Sequence, residues 1–261
     1  MSLLDTSAPF ADTAFAGGVH LEPAAGPDRF TAAEPPLATR IGEQMALLAR
    51  RVPISRRIVH AGDRIYHAVD AFERLHVVNA GLCKTVQISA DGREQVAALH
   101  FRGDWMGIGG IAAGRYGCDA IAMDTGEIWS VRYDDLLAAC CRTPTLLAFV
   151  HEAMSRELLR ERAAMLALCT LPADARVAEF LRWWADALEQ RGLRADSVKL
   201  PMTRAEIGNF LGMTLESVSR ALCKLARRDV IRFAAGGRRD IEIPAPGALS
   251  AFVAQSLAPL H

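Results

Sequence analysis

TRAEIGNFLGMTLESVSRALCKLARR, Thr203 to Arg228, reads as two short amphipathic helices hinged at Gly212. Thr203 and Glu206 form the S/T-x-x-E capping box that opens a helix, and Ile207, Phe210 and Leu211 give it an apolar stripe at helical spacing. Thr214 caps a second helix in which Val218, Leu222 and Leu225 point inward. Glu216, Ser219, Arg220, Cys223 and Arg227 then share its outer face. A helix-turn-helix divides labour in this way. An arginine fork satisfies the two guanine acceptors of the major groove, and a glutamate accepts from the cytosine amino group. Glu216, Ser219 and Arg220 are therefore the candidate base readers. Thr203, Arg204, Thr214, Ser217, Lys224 and Arg227 are candidates for holding the DNA backbone or supporting the reading helix. Taken alone, Glu216 and Arg220 at i, i+4 equally make an exposed ion pair worth about 0.3–0.5 kcal/mol.

The surroundings weigh against the ion pair alone. Asp229 to Phe233 and Arg239 to Ile243 are β-rich runs joined by Ala234 to Arg238, whose Gly236-Gly237 pair marks a hairpin, so a wing is expected. Nine Lys or Arg lie between Lys199 and Arg239 against Glu206, Glu216 and Asp229, a local charge of +6 in a chain whose formal total is zero. Positive charge confined to one segment is the footprint of phosphate contact, and a neutral total does not argue against it.

At 261 residues and 51% hydrophobic content the chain is long and apolar enough for two cores. No apolar run reaches the roughly 18 residues of a membrane span, and the N-terminus lacks a basic start followed by an apolar stretch, so no membrane partner and a cytoplasmic location are expected. Residues 1–38, rich in Ala, Pro, Gly and Thr, read as a flexible tail. Beyond them His60-Ala61-Gly62-Asp63 reads as a turn, Arg74 to Val78 and Leu82 to Ser89 as strands, and Asp91-Gly92 as a reversal before a strand at Glu94 to Phe101. Gly103-Asp104 and Gly107 mark the next bend. Short strands so spaced suggest a sandwich or barrel.

The C-terminal segment resembles the DNA-binding domain of the cyclic-AMP receptor/Fnr (Crp/Fnr) superfamily of bacterial transcription regulators. Glu216-x-x-Ser219-Arg220 is similar to the Fnr-like form of its motif; Leu215 and Ser219 stand where cyclic-AMP receptors tend to have arginine and glycine. The order HAGD, NAGLCK, ADGREQ, FRGDWMG resembles the β-roll sensor domain of the same superfamily, so the likeness spans roughly Arg51 to Gly247. It implies an α+β chain: a β-roll over 39–142, a dimerisation helix over 143–170, a winged helix-turn-helix over 171–247 and a C-terminal extension over 248–261. It further implies double-stranded DNA with two-fold TTGA-type sites as the target, a homodimer, and RNA polymerase as partner. Ile88, Ser89, Asp91, Gly92 and Arg93 match a loop that touches polymerase in Fnr-like activators, although Asp91 and Arg93 suit a turn for conformational reasons alone.

Cofactor expectations follow from the same match. Nucleotide-binding relatives carry a glutamate after the glycine matching Gly107 and an Arg-Ser or Arg-Thr pair further on; here Ile108 and about Cys118-Asp119 occupy those places, which disfavours cyclic AMP unless Arg115 substitutes. An iron–sulfur cluster needs four thiolates, and Cys83, Cys118, Cys140, Cys141, Cys169 and Cys223 show no C-x₂-C spacing, so none is expected. Most are expected to be small buried hydrophobes. Cys223, beside Arg220 and Arg227, is the candidate redox thiol, because positive neighbours favour thiolate. Haem stays open, with His20, His60, His67, His76, His100, His151 and His261 as conceivable ligands at no telling spacing, and no metal site is expected.

Thr143 to Leu168 reads as a helix about 39 Å long, ended by Pro172. Leu147, His151, Met154, Leu158, Glu161, Met165 and Leu168 alternate by four and three, a heptad seam suited to pairing two copies. Glu161 is its defect, since in a parallel pair it meets its own copy unless Arg160 or Arg162 compensates. Ala173 to Gln190 reads as a further amphipathic helix, with Trp183 and Trp184 as core or domain-interface residues. A nucleotide-responsive regulatory protein without DNA binding would share the β-roll but gives no reason for the basic head and wing. An enzyme would need an acid/base or metal constellation, and the histidines show neither H-x-H nor H-E-x-x-H.

Overall fold

A computed structural model describes residues 35–88, 92–234, 237 and 239–257. Helix α1 (Leu37–Arg51) opens behind Pro36 and buries Ile41, Met45 and Leu48 along one stripe, so the tail boundary expected at residue 38 falls inside a helix. The tail residues 1–34 lie outside the described part.

Eight strands follow: β1 (Ser55–Val59), β2 (Arg64–Tyr66), β3 (Arg74–Ala80), β4 (Cys83–Ile88), β5 (Glu94–His100), β6 (Trp105–Met106), then helix α2 (Gly110–Ala113), β7 (Asp119–Ala122) and β8 (Gly126–Arg132). They form two antiparallel sheets, ordered β1-β8-β3-β6 and β2-β7-β4-β5. Two expected strand ends fall back because side chains take their backbone donors. Leu82 N–H goes to the Asp124 carboxylate at 2.7 Å, and Phe101 N–H to Asp104 at 2.9 Å. Val59, Tyr66, Val78, Cys83, Tyr116 and Ile128 fill the space between the sheets. Along β3 the alternate residues Leu75 and Val77 face the other way, into a core shared with α1 and the next two helices.

Those helices are α3 (Tyr133–Arg142) and α4 (Pro144–Thr170). Proline at the first position of α4 sacrifices no intrahelical bond, and Pro172 stops it two residues later than the expected end at Leu168. Only its N-terminal half is embedded, through Leu146, Phe149 and Ala153.

The C-terminal part holds α5 (Ala173–Glu189), β9 (Ser197–Lys199), α6 (Arg204–Leu211), α7 (Leu215–Arg227), β10 (Arg232–Phe233), β11 (Asp240–Glu242) and α8 (Pro246–Leu257). The wing is a three-stranded sheet, β10-β11-β9, because Val198 and its neighbours add a strand beyond the expected hairpin. Its tip includes Gly236, which lies outside the described residues. The β-rich run expected from Asp229 starts only at Arg232: Asp229 adopts φ 52° and Val230 N–H returns to Leu225 O at 3.1 Å, closing α7. The expected extension over 248–261 is corrected too. Helix α8 buries Leu249 and Phe252 against α5, and Arg228 lies 5.5 Å over the Phe252 ring.

The two halves share one apolar cluster, in which Leu82, Val96, Leu99 and Phe101 of the roll join Phe180, Trp184 and Ile207. Trp183 bridges them as a domain-interface residue, its ring 5.5 Å from Phe101 and 6.3 Å from Phe210. The architecture is the α+β arrangement read from the sequence.

Candidate nucleic-acid interface

The reading head is assembled from short-range contacts. Thr203 caps α6 by accepting from Glu206 N–H at 3.2 Å while the Glu206 carboxylate accepts from Thr203 N–H at 2.8 Å, completing the capping box. Gly212 ends α6 at φ 61°, the left-handed position glycine takes without strain. Gly208 has a different reason: a Cβ there would stand 2.6 Å from Met213 O, so only glycine lets the turn pass this close to α6. Thr214 caps α7 through Ser217 N–H at 3.2 Å. Val218, Leu222 and Leu225 are buried, while Glu216, Arg220, Cys223 and Arg227 are exposed and Ser219 is half-buried.

Two assigned supports do more than face outward. Arg204 donates to Ser219 Oγ at 3.0 Å, fixing α6 against α7 and directing one hydroxyl of the reading face. Arg220 reaches Ser217 Oγ at 3.3 Å, a weak contact that leaves most of its fork to solvent. Lys224 is different: its ammonium is paired with Asp174 of α5, so it ties α7 to the domain instead of standing ready for a phosphate. Arg227 is exposed on the same stripe of α7, and Lys199, Arg232 and Arg239, on or beside the wing strands, are exposed as well.

The first helix of the head is anchored to the sensor. Lys84 Nζ donates to Glu206 at 2.5 Å, and Asn209 uses its amide like a strand, accepting from Val96 N–H at 2.5 Å and donating to Glu94 O on the open edge of β5. Burial would raise the Glu206 carboxyl, but Lys84 and the Thr203 donors hold it below the usual carboxylate range. Spacing gives no sign of this clamp, since its partners stand more than a hundred residues apart. The nearby hairpin contributes Ile88, Gly92 and Arg93, all exposed, to the expected polymerase loop; Ser89 and Asp91 lie outside the described residues.

All seven seam residues, Leu147, His151, Met154, Leu158, Glu161, Met165 and Leu168, are exposed on one side of α4, and Leu159 and Leu166 widen the apolar surface. Arg160 does not face Glu161 as a partner. Both its terminal nitrogens are bound to the buried Asp104, at 2.7 and 2.6 Å.

Inside the roll, Tyr66 and Tyr116 stack at 4.0 Å, Tyr66 OH meets Cys118 Sγ at 3.8 Å, and His76 spans Ser130 Oγ at 2.8 Å and Tyr116 OH at 3.2 Å. Burial, with Arg57 and Arg74 nearby, pulls His76 down to about 4. Asp119 is buried and ion-paired with Arg64, and Arg115 is exposed. A carboxylate that already consumes the local cation does not fit an anionic phosphate. Cys83 and Cys140 are buried and Cys118 half-buried, whereas Cys141, Cys169 and Cys223 are exposed, more than the buried-thiol expectation allows. His60, His67 and His151 are exposed, His100 is buried, and His20 and His261 lie outside the described residues. Among the described residues no three His, Cys, Asp or Glu side chains group as a metal site, and no helix is long and apolar enough to cross a membrane.

Residues 175–252 match the Crp-like helix-turn-helix domain, and residues 56–143 match the cyclic nucleotide-binding domain. The chain is 29% identical over 175 residues to the transcriptional activator protein Anr of Pseudomonas protegens, covering 67% of this chain and 72% of that protein. It is 29% identical over 185 residues to the fumarate and nitrate reduction regulatory protein of Vibrio cholerae, covering 71% and 72%. The solved structure of FixK2 from Bradyrhizobium japonicum superposes with a TM-score of 0.67 at 26% identity, over 80% of this chain and 100% of that one.

Proposed function

The chain belongs to the Crp/Fnr superfamily of DNA-binding transcription regulators, and we propose that it acts as a cytoplasmic homodimer that reads two-fold TTGA-type sites and contacts RNA polymerase, by binding and not by catalysis. One observation carries the reading: α7 buries Val218, Leu222 and Leu225 while presenting Glu216, Ser219 and Arg220 together on the face that also exposes Arg227. The exposed apolar seam of α4 supports the dimer, which would set two such faces about one DNA turn apart. Cyclic AMP is not its input on this reading, because Asp119 and its partner Arg64 stand where the phosphate would need charge; micromolar affinity for cyclic AMP would refute that part. Cys223 serves as an oxidisable brake on the reading face.

A gel shift on a TTGA palindrome tests the whole. Binding is expected to vanish when both half-sites are scrambled and to weaken steeply with salt. Equal affinity for the scrambled duplex would favour a regulator without sequence-specific DNA binding. Substituting Asp91 and Arg93 is expected to lower transcription in vitro with the gel shift unchanged; loss of both would mean misfolding.

A further inference from the structure

Leu171 and Pro172 are the whole of the chain between α4 and α5, the first helix of the C-terminal part. Proline fixes its own φ, here at −65°, so the angle between the two helices rests on the torsions of Leu171 and the ψ of Pro172. Turning ψ of Leu171 swings its carbonyl. That carbonyl is held: Arg176, half-buried in the first turn of α5, donates to Leu171 O through Nη2 at 3.2 Å and to Leu211 O through Nη1 at 2.8 Å.

Both carbonyls belong to helix ends. Leu171 is the C-terminal cap of α4 and Leu211 the last residue of α6, so each presents a carbonyl outside the helical ladder, at the negative end of a helix dipole. One flat guanidinium joins the two ends in a fixed geometry that a point charge such as an ammonium does not reproduce. In the same turn Asp174 pairs with Lys224 of α7. The start of α5 therefore holds the end of α4, the end of α6 and the flank of α7 at once, whereas the polar contacts that Lys84 and Asn209 make across to the sensor act on α6 alone. A Cβ at the Gly212 hinge would stand 3.9 Å from Leu168 Cδ2 and 4.0 Å from Arg176 Nη1, which brings the last residue of the seam against the same joint.

We propose that Arg176, with Asp174 beside it, is a positioning residue of DNA recognition: it sets the angle between α4 and the reading helix α7, and with it the separation of the two reading faces in the dimer. The consequence for DNA rests on the reading of the protein as a homodimer on TTGA-type sites; the angle within one protomer does not. One added base pair moves two half-sites apart by about 3.4 Å and turns one against the other by about 35°. A stiff joint rejects that change because the two heads no longer engage together, and a loosened joint absorbs it. Arg176 touches no base in this role, so it governs how far apart the half-sites stand and not which bases they hold.

Two measurements on the full-length protein test it. The first uses no DNA: spin labels on Cys141 and Cys223, both exposed, in a Cys118→Ser, Cys169→Ser background diluted with unlabelled protein give the distribution of distances between the sensor and α7 within one protomer. Arg176→Gln is expected to broaden that distribution about twofold. Asp174→Asn, which releases Lys224 and leaves Arg176 in place, is expected to broaden it as well, so the test survives a folding failure in Arg176→Gln. The second is a gel shift on TTGA palindromes with the half-sites at the preferred spacing and one base pair closer or farther, beside a duplex with a single half-site. The parent is expected to favour its spacing about tenfold and Arg176→Gln about threefold or less, with equal affinity for the single half-site. Distributions of parental width in both variants, a spacing preference as steep as the parent's, or an equal loss on single and paired half-sites would overturn the positioning role. No shift of any TTGA duplex by the parent would sink the DNA target instead, and the distances, measured without DNA, would still decide the part played by Arg176.

Discussion

Arg220 stands exposed on α7, held among the described residues by the weak Ser217 contact, so its fork can turn to two acceptors on one base. Arg220→Ala is expected to cost about 1–3 kcal/mol on the TTGA duplex and to flatten discrimination at a single base pair, measured by gel shift on single-substitution duplexes. Arg227→Ala, at a proposed phosphate contact, should instead weaken all duplexes alike and reduce the salt slope by about one. Oxidation is the second residue-scale test. Peroxide is expected to lower DNA affinity through Cys223, and Cys223→Ser to abolish the response; an equal response in the variant would place the effect at Cys141 or Cys169, which are also exposed. What was readable at this scale was local. The capping box, the Gly212 hinge and the outward stripe follow from residues within four positions of one another. Lys224 and Asn209 were not readable, because Asp174 lies 50 residues from the one and the β5 edge more than a hundred from the other, and only the fold brings them together.

Helix α4 shows the same limit for whole elements. Its heptad was legible because Pro144 and Pro172 bound it and the seam repeats every seven residues. Helix α1 was legible in principle, with Ile41, Met45 and Leu48 at helical spacing, but the Pro-rich stretch before it hid the start. Helix α8 looked like an extension since its composition is apolar nearly all round, and an amphipathic stripe is absent where a short helix closes a core. Glu161 gives the element its test. Arg160 is committed to Asp104, so it does not neutralise the seam. Two such carboxylates in close approach oppose pairing by about 1 kcal/mol in a water-like medium. Glu161→Ala is therefore expected to lower the dimer dissociation constant roughly fivefold by analytical ultracentrifugation at low salt, with the gap closing as salt screens the pair. A variant that dissociates as readily as the parent would remove Glu161 from the seam.

At the scale of the molecule, sensor and reading head are one folded body whose junction is built from titrating groups. Burial draws His100 down to about 4, with Asp104 opposing and Arg160 reinforcing the shift, and His76 in the roll behaves alike beside Arg57 and Arg74. In the unfolded chain both titrate near 6.5. Between those values unfolding takes up protons, so stability falls as pH falls. Glu157 works in the opposite sense. Burial pushes it up to about 7, against Arg160 and with Asp104 and Glu161 adding to the rise, so between its unfolded value and 7 unfolding releases a proton and stability falls as pH rises. Asp104 enters only in stronger acid: burial would raise it, but Arg191 and Arg160 hold it below the usual carboxylate range. Near pH 5.5 two histidine protons taken up against one glutamate proton released leave a net uptake of about one, a slope of about 1 kcal/mol per pH unit. Glu157→Gln deletes the opposing proton and is expected to roughly double that slope, and to stabilise the protein at neutral pH by removing a buried partial charge. Urea unfolding midpoints from pH 5 to 7 at fixed protein concentration measure both effects. A slope unchanged by the substitution would mean that Glu157 is ionised in the folded protein.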